Sequence, residues 1–458
     1  MSSQDAKRGM DRREFLQSAA VLGAGFMLGK SAFAEGEAPK EPAKMDGINI
    51  ALVGAGAQGQ VLMEAILKIP GIRFKAVCDI WEAWNLKKVT GQLKAYKHEV
   101  NSYVDYKEML AAEKNLDAVI IATPDFCHAE QTVACLKAGL PVYCEKEMSN
   151  TLEGAKQMVL AAKETGKLLQ IGHQRRSNPR YIHCKEKLVD EAKLLGRITT
   201  INGQWNRAVQ IDLGVPPKYT IEQAVLEKYG FKSMKQFRNW RWYKGLGGGP
   251  VIDLGSHQID VYNWFLGVVP KAVTASGGTD YYDKATHEWY DTVQALYEYE
   301  YEYAPDKKQT VRAFYQTITT NSSNGYYETF MGDEGTLVIS ESASRGAVYR
   351  EQSAPAWDKW VKKGYLKAPV KKEEKPAAEG AIADVRESAV QQAYELPVTM
   401  NLKYHQLHLQ NFFDAMRGKA KLNCPAEQAY ETAVTVLKVN EAIEAGRRLE
   451  FKPEEFKV

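Results

Sequence analysis

The chain has 458 residues, which is too long for one ordinary hydrophobic core and indicates two domains. Hydrophobic residues make up 45% and charged residues 26% of the sequence, and these proportions are typical of globular proteins. The formal net charge of +3 is too small to indicate a nucleic-acid partner or an anionic membrane surface. No apolar run reaches the length of a bilayer-spanning helix, so we expect no stable membrane insertion.

The first 46 residues carry the features of an export signal. DRREFL at residues 11–16 is followed by a mildly apolar stretch at 19–28 and by AFA at 32–34, a small-residue cleavage pattern. Their order resembles a twin-arginine signal with cleavage after Ala34, rather than a tail that holds two arginines by chance. Residues 35–46 are rich in Glu, Pro, Lys and Ala, as a solvated linker is. We therefore expect export of the folded protein to the periplasm.

The six cysteines predict neither a zinc site nor a dense set of disulfides. They form no CxxC pair and show no repeated spacing. Most stand in or beside predicted strands and helix faces, which favours buried free thiols. The residues concerned are Cys78, Cys127, Cys135, Cys144, Cys184 and Cys424.

The start of the chain after the linker has the order of a dinucleotide-binding unit. A strand pattern at 48–53 is followed by GAGAQG at 54–59, a helical stretch at 61–69 and a strand at 74–78 that ends in Asp79. Glycines let backbone N–H groups approach a pyrophosphate, and the carboxylate accepts hydrogen bonds from a ribose diol. Asp79 would repel a 2′-phosphate, so NAD is favoured over NADP; a glycine turn in an unrelated α/β protein is the alternative. The candidate cofactor-binding residues here are Gly54, Gly56, Ala57, Gln58, Gly59 and Asp79.

Strands and helices continue to alternate, which predicts an α/β fold with a parallel sheet and an NAD-binding Rossmann domain over residues 47–172. Ligands of such sheets gather at the carboxyl ends of the strands. The strand patterns lie at 116–122, 142–144 and 168–171, with helical stretches around 128–138 and 152–165. Residues at or just beyond the strand ends extend the candidate cofactor site with Thr123, Pro124, His128, Glu145 and Lys146, and place His173 on the substrate side.

Beyond residue 173 the pattern changes to longer strands without regular helices between them. We predict an α+β domain over residues 173–458 with a large open, mainly antiparallel sheet, and C-terminal helices within 402–445 that pack back on the Rossmann domain. Residues 353–393 are rich in Lys, Glu, Ala and Pro and are expected to form an exposed excursion. The predicted strands lie at 196–206, 293–303, 310–320 and 336–340.

Tyrosines and glutamates alternate in YEYEYEY at residues 297–303, so the rings lie on one face of the strand and the carboxylates on the other. The rings are candidates for lining a sugar site, but packing or a subunit interface is favoured. We expect a homo-oligomer that forms through this sheet.

GGGPVIDLGSHQID at residues 247–260 places Asp253, His257 and Asp260 on one face of a predicted helix. A metal site is the first alternative, but a helix alone rarely completes a coordination shell and no other ligand group is tied to it, so no metal is predicted. Asp253 could also act only as a helix cap after the Gly-Pro turn, which would leave His257 unexplained.

The stretch NWRWYK at residues 239–244 is dense in aromatic and cationic side chains. Aromatic rings stack on the C–H faces of sugars while cations bind hydroxyls, so this stretch is a candidate substrate wall, with packing as the alternative for each ring. The candidates are Trp240, Arg241 and Tyr243, together with Trp205 and Arg207.

These motifs together resemble the glucose-fructose oxidoreductase, inositol dehydrogenase and rhizopine catabolism family. The resemblance implies a Rossmann domain joined to a large open-sheet domain, in which a nicotinamide cofactor exchanges hydride with a sugar or cyclitol. One departure is visible: the family's Glu-Lys-Pro stands here as Glu145-Lys146-Glu147, which adds a carboxylate beside the lysine. The resemblance rests on the glycine triplet, Thr123-Pro124, Glu145-Lys146, GHQRR at 172–176, GGPVIDLGSHQID at 248–260 and the stretch 408–446.

The family's catalytic lysine, aspartate and histidine correspond to Lys146, Asp253 and His257. Oxidation of a secondary alcohol removes a hydroxyl proton while hydride leaves the carbon. Neutral His257 is suited to take the proton and Lys146 to stabilise the alkoxide, while Asp253 orients the ring or holds a second hydroxyl. Asp260 is expected to be structural. The candidate substrate-binding residues are His173, Arg175, Trp205, Arg207, Trp240, Arg241, Tyr243, Asp253 and His257.

Export constrains the function further, because a periplasm offers no NAD pool for exchange. We therefore expect a tightly bound NAD that the protein regenerates itself, and a sugar or glycoside substrate that gives a 3-keto product. A glycoside hydrolase that works by oxidation, elimination, hydration and re-reduction is the second hypothesis. A carbohydrate-binding protein without turnover is the third, and Lys146 and His257 argue against it.

Overall fold

The computed structural model describes residues 47–342, 344–369, 391–400 and 402–458. The predicted export signal and linker, residues 1–46, lie outside the described residues, as does much of the predicted excursion. Within the described chain, no helix combines the length and the apolar character that crossing a bilayer demands.

A parallel sheet of six strands forms the first half of the described chain, in the order β3-β2-β1-β4-β5-β6. The chain reverses its direction of winding between β1 and β4, and ligands of such sheets bind at this switch point. The apolar run of β1 is buried because helices cover both faces of the sheet. The strands are β1 (Ile48–Val53), β2 (Ile72–Cys78), β3 (Asn101–Tyr103), β4 (Ala118–Ile121), β5 (Val142–Cys144) and β6 (Leu169–Ile171).

The helices of this half confirm the predicted alternation and differ in one boundary. The first helix begins at Ala57, inside the glycine motif, and not at residue 61, because the backbone enters the helix directly after Gly56. The sequence did not indicate this start, because residues 57–60 are small or polar and show no apolar helical pattern. The helices are α1 (Ala57–Ile66), α2 (Lys87–Ala95), which follows a π-helical turn (Glu82–Leu86), α3 (Tyr106–Ala112), α4 (Asp125–Lys137) and α5 (Leu152–Thr165).

The second half of the described chain forms a nine-stranded sheet in the order β14-β13-β12-β11-β7-β10-β9-β8-β15. Only β7 and β10 pair in parallel, so the prediction of a mainly antiparallel sheet is confirmed. The strands are β7 (Ile198–Asn206), β8 (Pro270–Gly278), β9 (Thr292–Ala304), β10 (Lys307–Ile318), β11 (Tyr326–Gly332), β12 (Gly335–Ile339), β13 (Gly346–Arg350), β14 (Gln392–Glu395) and β15 (Leu449–Glu450).

Long helices cover one face of this sheet and connect it to the parallel sheet. α9 packs on β7 and β10, and α12 packs on β8, α9 and α5. α11 packs on α1, where Leu409, Phe412 and Phe413 join the core of the parallel sheet. The helices are α6 (Pro179–His183), which leads into a π-helical segment (Cys184–Glu191), α7 (Gln223–Lys228), α8 (Met234–Arg238), α9 (Gly249–Leu266), α10 (Asp358–Lys362), α11 (Tyr404–Met416) and α12 (Ala426–Ala445).

The alternating tyrosines of β9 serve packing. Tyr297 and Tyr299 are buried under the helices, where their hydroxyls donate to the carbonyl of Thr435 and to Asn263 Oδ1. Glu298 and Glu300 lie on the opposite face in ion pairs. Part of the predicted excursion differs from expectation, because Trp357 and Leu366 are buried in the core of the second sheet.

Candidate active site

The glycine motif between β1 and α1 has the shape that a dinucleotide needs. Gly54 has a φ of +92°, and a Cβ there would lie 2.6 Å from the carbonyl carbon of Ala122. A Cβ on Gly59 would lie 1.9 Å from the carbonyl oxygen of Gly54, so both positions require glycine. A Cβ on Gly56 would meet mostly open space, with Asn85 Nδ2 at 4.0 Å. The turn is closed against the sheet and open toward the start of α1, where a pyrophosphate fits.

Asp79 lies at the carboxyl end of β2 and is tied to the glycine motif. Its Oδ2 accepts a hydrogen bond of 2.7 Å from the backbone N–H of Ala55, and its Oδ1 accepts one of 2.7 Å from Trp81 N–H. Burial raises the pKa of Asp79, and these two hydrogen bonds oppose the increase. The carboxylate is therefore placed beside the turn, where a ribose diol of a bound dinucleotide lies.

Gln58 joins the glycine motif to the end of β5 and to α11. Its Nε2 donates to Glu145 Oε1 at 3.1 Å and lies 3.2 Å from His405 Nε2. Glu145 is buried, and burial raises its pKa. His405 therefore reaches the cofactor side of the cleft from a helix that lies almost 350 residues farther along the chain. His408 on the same helix contacts Ser177 and the carbonyl of Ile171 and is structural.

His128 holds the two loops that follow β4 and β5. Its ring nitrogens lie 2.7 Å from the carbonyl oxygen of Glu147 and 2.8 Å from that of Thr123. Burial lowers the pKa of His128 to about 4, although the two carbonyl oxygens oppose the decrease, and the ring positions the loops. Pro124 precedes α4, and Thr123 Oγ1 donates to Gln131 at 2.7 Å.

Lys146, Asp253 and Arg241 form a charged cluster in the cleft. Lys146 Nζ lies 3.0 Å from Asp253 Oδ1 and also donates to the backbone carbonyl of Asp253. Arg241 Nε lies 3.2 Å from Asp253 Oδ2. Burial alone would raise the pKa of Asp253, but Lys146, Arg241 and Arg207 outweigh it and hold the pKa well below its usual value. The carboxylate thus stays ionised and fixes the lysine ammonium at the end of β5.

His257 lies one helical turn after Asp253 on α9 and is almost fully buried. Its Nδ1 is buried without a hydrogen-bond partner, which leaves Nε2 as the nitrogen that a substrate can reach. Burial, together with the cations Lys146 and Arg175, lowers the pKa of His257 well below its usual value. The ring is therefore neutral over the working pH range and can accept a proton.

Trp205 forms an aromatic wall next to His257. Its ring centroid lies 5.6 Å from that of His257 and 4.6 Å from that of Tyr326 on β11, on which it stacks. The guanidinium of Arg207 lies 5.4 Å from the Trp205 ring. A half-buried indole beside a proton acceptor suits the C–H face of a sugar ring.

Arg175 and His173 lie behind this wall rather than in the open cleft. Arg175 is fully buried and forms ion pairs with Glu328 and Glu341, so its guanidinium supports Trp205 from below. His173 is also buried, with its ring perpendicular to that of His257 at 6.3 Å. Arg175 and His173 therefore do not line the open cleft, and each contacts a residue that does: Trp205 for Arg175 and His257 for His173.

Trp240 and Tyr243 pack against a small apolar cluster formed by Leu226, Phe231 and Leu246. Arg241, between them, is exposed and stands over the Trp240 ring at 4.3 Å. Of this stretch, the guanidinium of Arg241 is therefore the group that the structure places in the charged cluster.

Asp260 is structural, because its carboxylate accepts hydrogen bonds from Arg176 at 2.9 to 3.0 Å and from Thr432 at 2.9 Å.

Sequence reasoning missed Asp125, the first residue of α4, and Tyr326. Asp125 is buried, and burial together with the charge of Asp253 raises its pKa to about 7. Its position directly after Thr123-Pro124 at a strand end was the available signal. In the described part of the chain, no group of three or more His, Cys, Asp and Glu side chains is placed to hold a metal ion.

Two family profiles match this chain. One, an oxidoreductase family with an NAD-binding Rossmann fold, covers residues 48–173, and the other, the C-terminal alpha/beta domain of that oxidoreductase family, covers residues 220–451. The chain belongs to the Gfo/Idh/MocA family of oxidoreductases. The expected fold of the family, a Rossmann domain followed by a domain with an open sheet, is the fold observed here.

Similar members of the Gfo/Idh/MocA family include named inositol dehydrogenases. The chain is 30% identical over 181 residues to inositol 2-dehydrogenase of Rubrobacter xylanophilus, covering 39% of this chain and 49% of that protein. It is 29% identical over 236 residues to scyllo-inositol 2-dehydrogenase (NADP(+)) of Bacillus subtilis, covering 51% and 55%. The chain spans about half the length of these curated relatives. The WlbA dehydrogenase from Bordetella pertussis, solved with NADH and UDP-GlcNAcA, shares the fold with a TM-score of 0.62 at 18% identity, over 89% of this chain and 99% of that one.

Proposed function

We propose that this protein is an oxidoreductase that holds NAD tightly and transfers hydride to or from a secondary hydroxyl carbon of a sugar or glycoside, with a 3-keto sugar as product. The observation that carries the proposal is the cluster of Lys146, Asp253 and His257 beside a glycine turn that fits a dinucleotide. The inositol dehydrogenases among the relatives act on cyclic polyols, by their names, and support a polyol-like substrate.

His257, Lys146 and Trp205 each have a separate role in the proposed oxidation of an alcohol. A bound nicotinamide supplies the hydride acceptor. His257 Nε2 takes the hydroxyl proton, because its lowered pKa keeps the ring neutral beforehand. The Lys146 ammonium, held by Asp253, stabilises negative charge on the substrate oxygen. Trp205 offers its face to the sugar ring and limits the access of water.

NAD is favoured over NADP by the position of Asp79. The Asp79 carboxylate accepts hydrogen bonds from Ala55 and Trp81, and its negative charge would repel a 2′-phosphate. The Bacillus subtilis relative is named for NADP(+), so the family uses both cofactors. We expect the nucleotide released by denaturing the purified protein to have the mass of NAD or NADH.

Tight binding is supported by a segment of the second half that reaches the cofactor side of the cleft. We call residues 207–246, between β7 and α9, the closing segment. Trp81 Nε1, two residues after Asp79, donates to the carbonyl of Tyr219, and the Trp84 ring lies 4.8 Å from the ring of Tyr219. Arg238 stands over Trp81 at 5.0 Å. These contacts close the approach to Asp79 and slow the exchange of a bound nucleotide.

Glycoside hydrolysis by a redox-neutral cycle is the second candidate, and Asp125 favours it. After oxidation at C3, the neighbouring C–H becomes acidic, the glycosidic bond eliminates, water adds and the ketone is reduced again. A buried carboxyl whose pKa is raised to about 7 can take up and return the proton of that C–H.

The open face of the nine-stranded sheet is the proposed surface for a second copy of the chain. Leu296 on β9 is 38% exposed there and stands opposite the half-buried Phe314 on β10. We expect the native mass to correspond to an oligomer and Leu296→Glu to lower it, because a carboxylate at the centre of the contact would lose its water. Lys284→Glu, outside this face, is the control, and an unchanged oligomer in Leu296→Glu would contradict the assignment.

One experiment distinguishes the two activities. The purified protein is incubated with p-nitrophenyl glycosides without added nucleotide. A stable keto product with a reduced cofactor supports net oxidation, whereas release of p-nitrophenol supports hydrolysis. Absence of both products, together with no nucleotide after denaturation, would overturn the proposed function.

A further inference from the structure

The carboxylate that this chain adds beside Lys146 lies in the interior. Glu147 is fully buried, and its Oε1 accepts a hydrogen bond of 2.9 Å from Met148 N–H. Its Oε2 has no hydrogen-bond partner. The backbone carbonyl of the same residue is held by His128 at 2.7 Å, so the position of the side chain is well defined. An ionisable group in such a place is costly, and packing alone does not require one.

Polar atoms without hydrogen-bond partners lie on Glu147, on His257 and on His173, which lies near both. Glu147 Oε2 lies 3.9 Å from Nε2 of His173, which is within ion-pair distance but longer than a hydrogen bond. Both ring nitrogens of His173 are buried without partners, and so is Nδ1 of His257. The two rings are perpendicular with centroids 6.3 Å apart, within the range of edge-to-face contact. Buried polar atoms without partners are rare, and here four of them lie on three neighbouring side chains, Glu147, His173 and His257.

Among the described carboxylates near His173 and His257, Glu147 is the one that is available to accept a proton, because the others are paired with cations. The Asp260 carboxylate, which also faces His173, is held by Arg176, and the Asp253 carboxylate is held by Lys146 and Arg241. In the described chain, Glu147 Oε2 forms no such pair with a lysine or arginine. The titratable and charged groups that face Glu147 are Lys146, Asp125, Asp260 and His173; those that face His173 are Glu147, Asp260, Arg176, Lys146 and Arg175; and those that face His257 are Lys146, Arg175, His173 and His405.

We propose that Glu147 and His173 are positioning residues that store, through His257, the proton released from the substrate hydroxyl. The inference rests on the proposed function. The substrate O–H bond breaks as an N–H bond forms at His257 Nε2, and the proton on His257 Nδ1 passes to His173. The proton on His173 Nε2 passes to Glu147 Oε2, which becomes a carboxylic acid. One proton moves, and the two electrons of the C–H bond leave with the hydride for NAD.

The protonation states suit a reaction that runs in both directions within one catalytic cycle. Burial, reinforced by Asp125 and Asp260, raises the pKa of Glu147 to about 8, while burial lowers that of His173 to about 4. Oxidation requires the ionised Glu147, so its rate rises as the pH increases through about 8. Reduction requires the protonated Glu147, so its rate falls over the same range. A protein that regenerates its own cofactor needs a group that can both take up and return a proton near the working pH, and a pKa of about 8 allows both.

A first experiment needs no substrate. Difference infrared spectroscopy of the purified holoprotein between pH 6 and pH 10 should show the C=O band of a buried carboxylic acid that disappears with a midpoint near the pKa of about 8. The part of the band with a midpoint near pH 8 should be absent in Glu147→Gln, whereas the part from the buried Asp125 carboxyl, whose pKa is about 7, should remain. Both parts should be present in Glu431→Gln. Glu431 is a suitable control, because burial raises its pKa also, and it lies on α12 with Arg176 and Asp260 as its charged neighbours. The absence of a band with a midpoint near pH 8 in the wild type, or the survival of that band in Glu147→Gln, overturns the proposal.

A second experiment measures proton handling during turnover. Holoprotein is mixed with a p-nitrophenyl glycoside, and the absorbance of the reduced nicotinamide is followed in a single turnover over the same pH range. Glu147→Gln should slow its formation by about tenfold or more and remove the inflection near pH 8, while Glu147→Asp should retain part of the inflection. The amount of bound nucleotide and the Tm are measured in parallel to identify a folding defect.

The outcomes separate this inference from the proposed function. A slower Glu147→Gln variant that keeps the wild-type pH profile shows a purely structural role and overturns the inference, while the oxidoreductase activity stands. If no glycoside reduces the cofactor in the wild type, the proposed function fails, and the infrared band alone decides whether Glu147 holds a proton.

Discussion

The ion pair between Lys146 and Asp253 determines where positive charge stands in the cleft. Asp253 is held from two sides, because Arg241 contacts the oxygen that Lys146 does not. The backbone carbonyl of Asp253 also accepts from Lys146, so the ammonium is directed by α9 and not by its own flexible stem. At the residue scale, the charge that we propose stabilises the reacting oxygen is thus positioned before a substrate arrives.

Replacing Lys146 by methionine tests this assignment. The variant keeps the length of the side chain but removes the charge, and Asp253 remains paired with Arg241. We expect bound nucleotide and Tm to change little, while the rate of hydride transfer falls by about 10²- to 10³-fold, as with the loss of one group that stabilises an oxyanion. The rate is measured as reduced-nicotinamide absorbance in a single turnover.

Lys244→Met provides the matched control, because Lys244 is an exposed lysine of the same region that pairs with Glu444. Its rate should equal that of the wild type. A Lys146→Met protein that retains the wild-type rate would remove Lys146 from the chemistry.

The proximity of Lys146, Asp253 and His257 could be predicted from the sequence, whereas the partners of Arg175 could not. Asp253 and His257 are one helical turn apart, and Lys146 directly follows a buried strand, so local spacing indicates all three. Arg175 has the same polarity and lies near the same strand ends, but its partners Glu328 and Glu341 are more than 150 residues away in the chain. No local pattern shows that an arginine will turn inward to distant carboxylates.

At the scale of elements, helix and strand types were more predictable than their contacts. The period of two in β9 identified its buried face, and the strands 142–144 and 168–171 were placed within one residue. Within the closing segment, the sequence predicted a role only for residues 239–244 and Arg207, as a substrate wall. Its contact with Trp81 depends on how β7 and α9 are oriented toward the parallel sheet, and such an orientation leaves no periodic signal in the sequence.

The closing segment predicts slow release of the nucleotide, which Trp81→Phe should accelerate. Phenylalanine preserves an aromatic ring but loses the hydrogen bond from Nε1 to Tyr219. The loss of one such bond costs about 1 kcal/mol, which corresponds to roughly fivefold faster dissociation. Dissociation is measured by the exchange of bound nucleotide for a labelled one.

Trp360→Phe serves as the comparison, because Trp360 lies on α10 and stacks on Tyr365, outside the cofactor cleft. An equal release rate in Trp81→Phe and the wild type would show that the closing segment does not retain the nucleotide.

At the scale of the whole molecule, one site depends on both sheets. Lys146 and Glu145 come from the end of the parallel sheet, Asp253 and His257 from α9 on the second sheet, and His405 from a helix near the end of the chain. A chain that assembles such a site must fold over most of its length before it can hold a dinucleotide. The twin-arginine route carries folded proteins, so export by this route, which we propose for this chain, is compatible with a cofactor acquired in the cytoplasm.

We propose that residues 1–46 act as the export signal. Because the site depends on both sheets, we can predict whether the exported protein carries its nucleotide. When the full chain is expressed in a Gram-negative host, the periplasmic protein should carry NAD or NADH close to one per chain, because the periplasm has no pool from which to load it. Replacing Arg12 and Arg13 by lysine should hold the protein in the cytoplasm with its nucleotide still bound. Nucleotide is measured by mass spectrometry after denaturation of each fraction.

Gly59→Val separates loading from transport. A larger side chain at a position where even a Cβ would lie 1.9 Å from the Gly54 carbonyl oxygen cannot leave the turn intact, so the variant should lose the nucleotide. If cofactor loading completes folding, less of this variant reaches the periplasm, and the remainder is retained or degraded in the cytoplasm. Wild-type protein that arrives in the periplasm without nucleotide would contradict the argument, because a site built from both sheets would then have been exported before its ligand was bound.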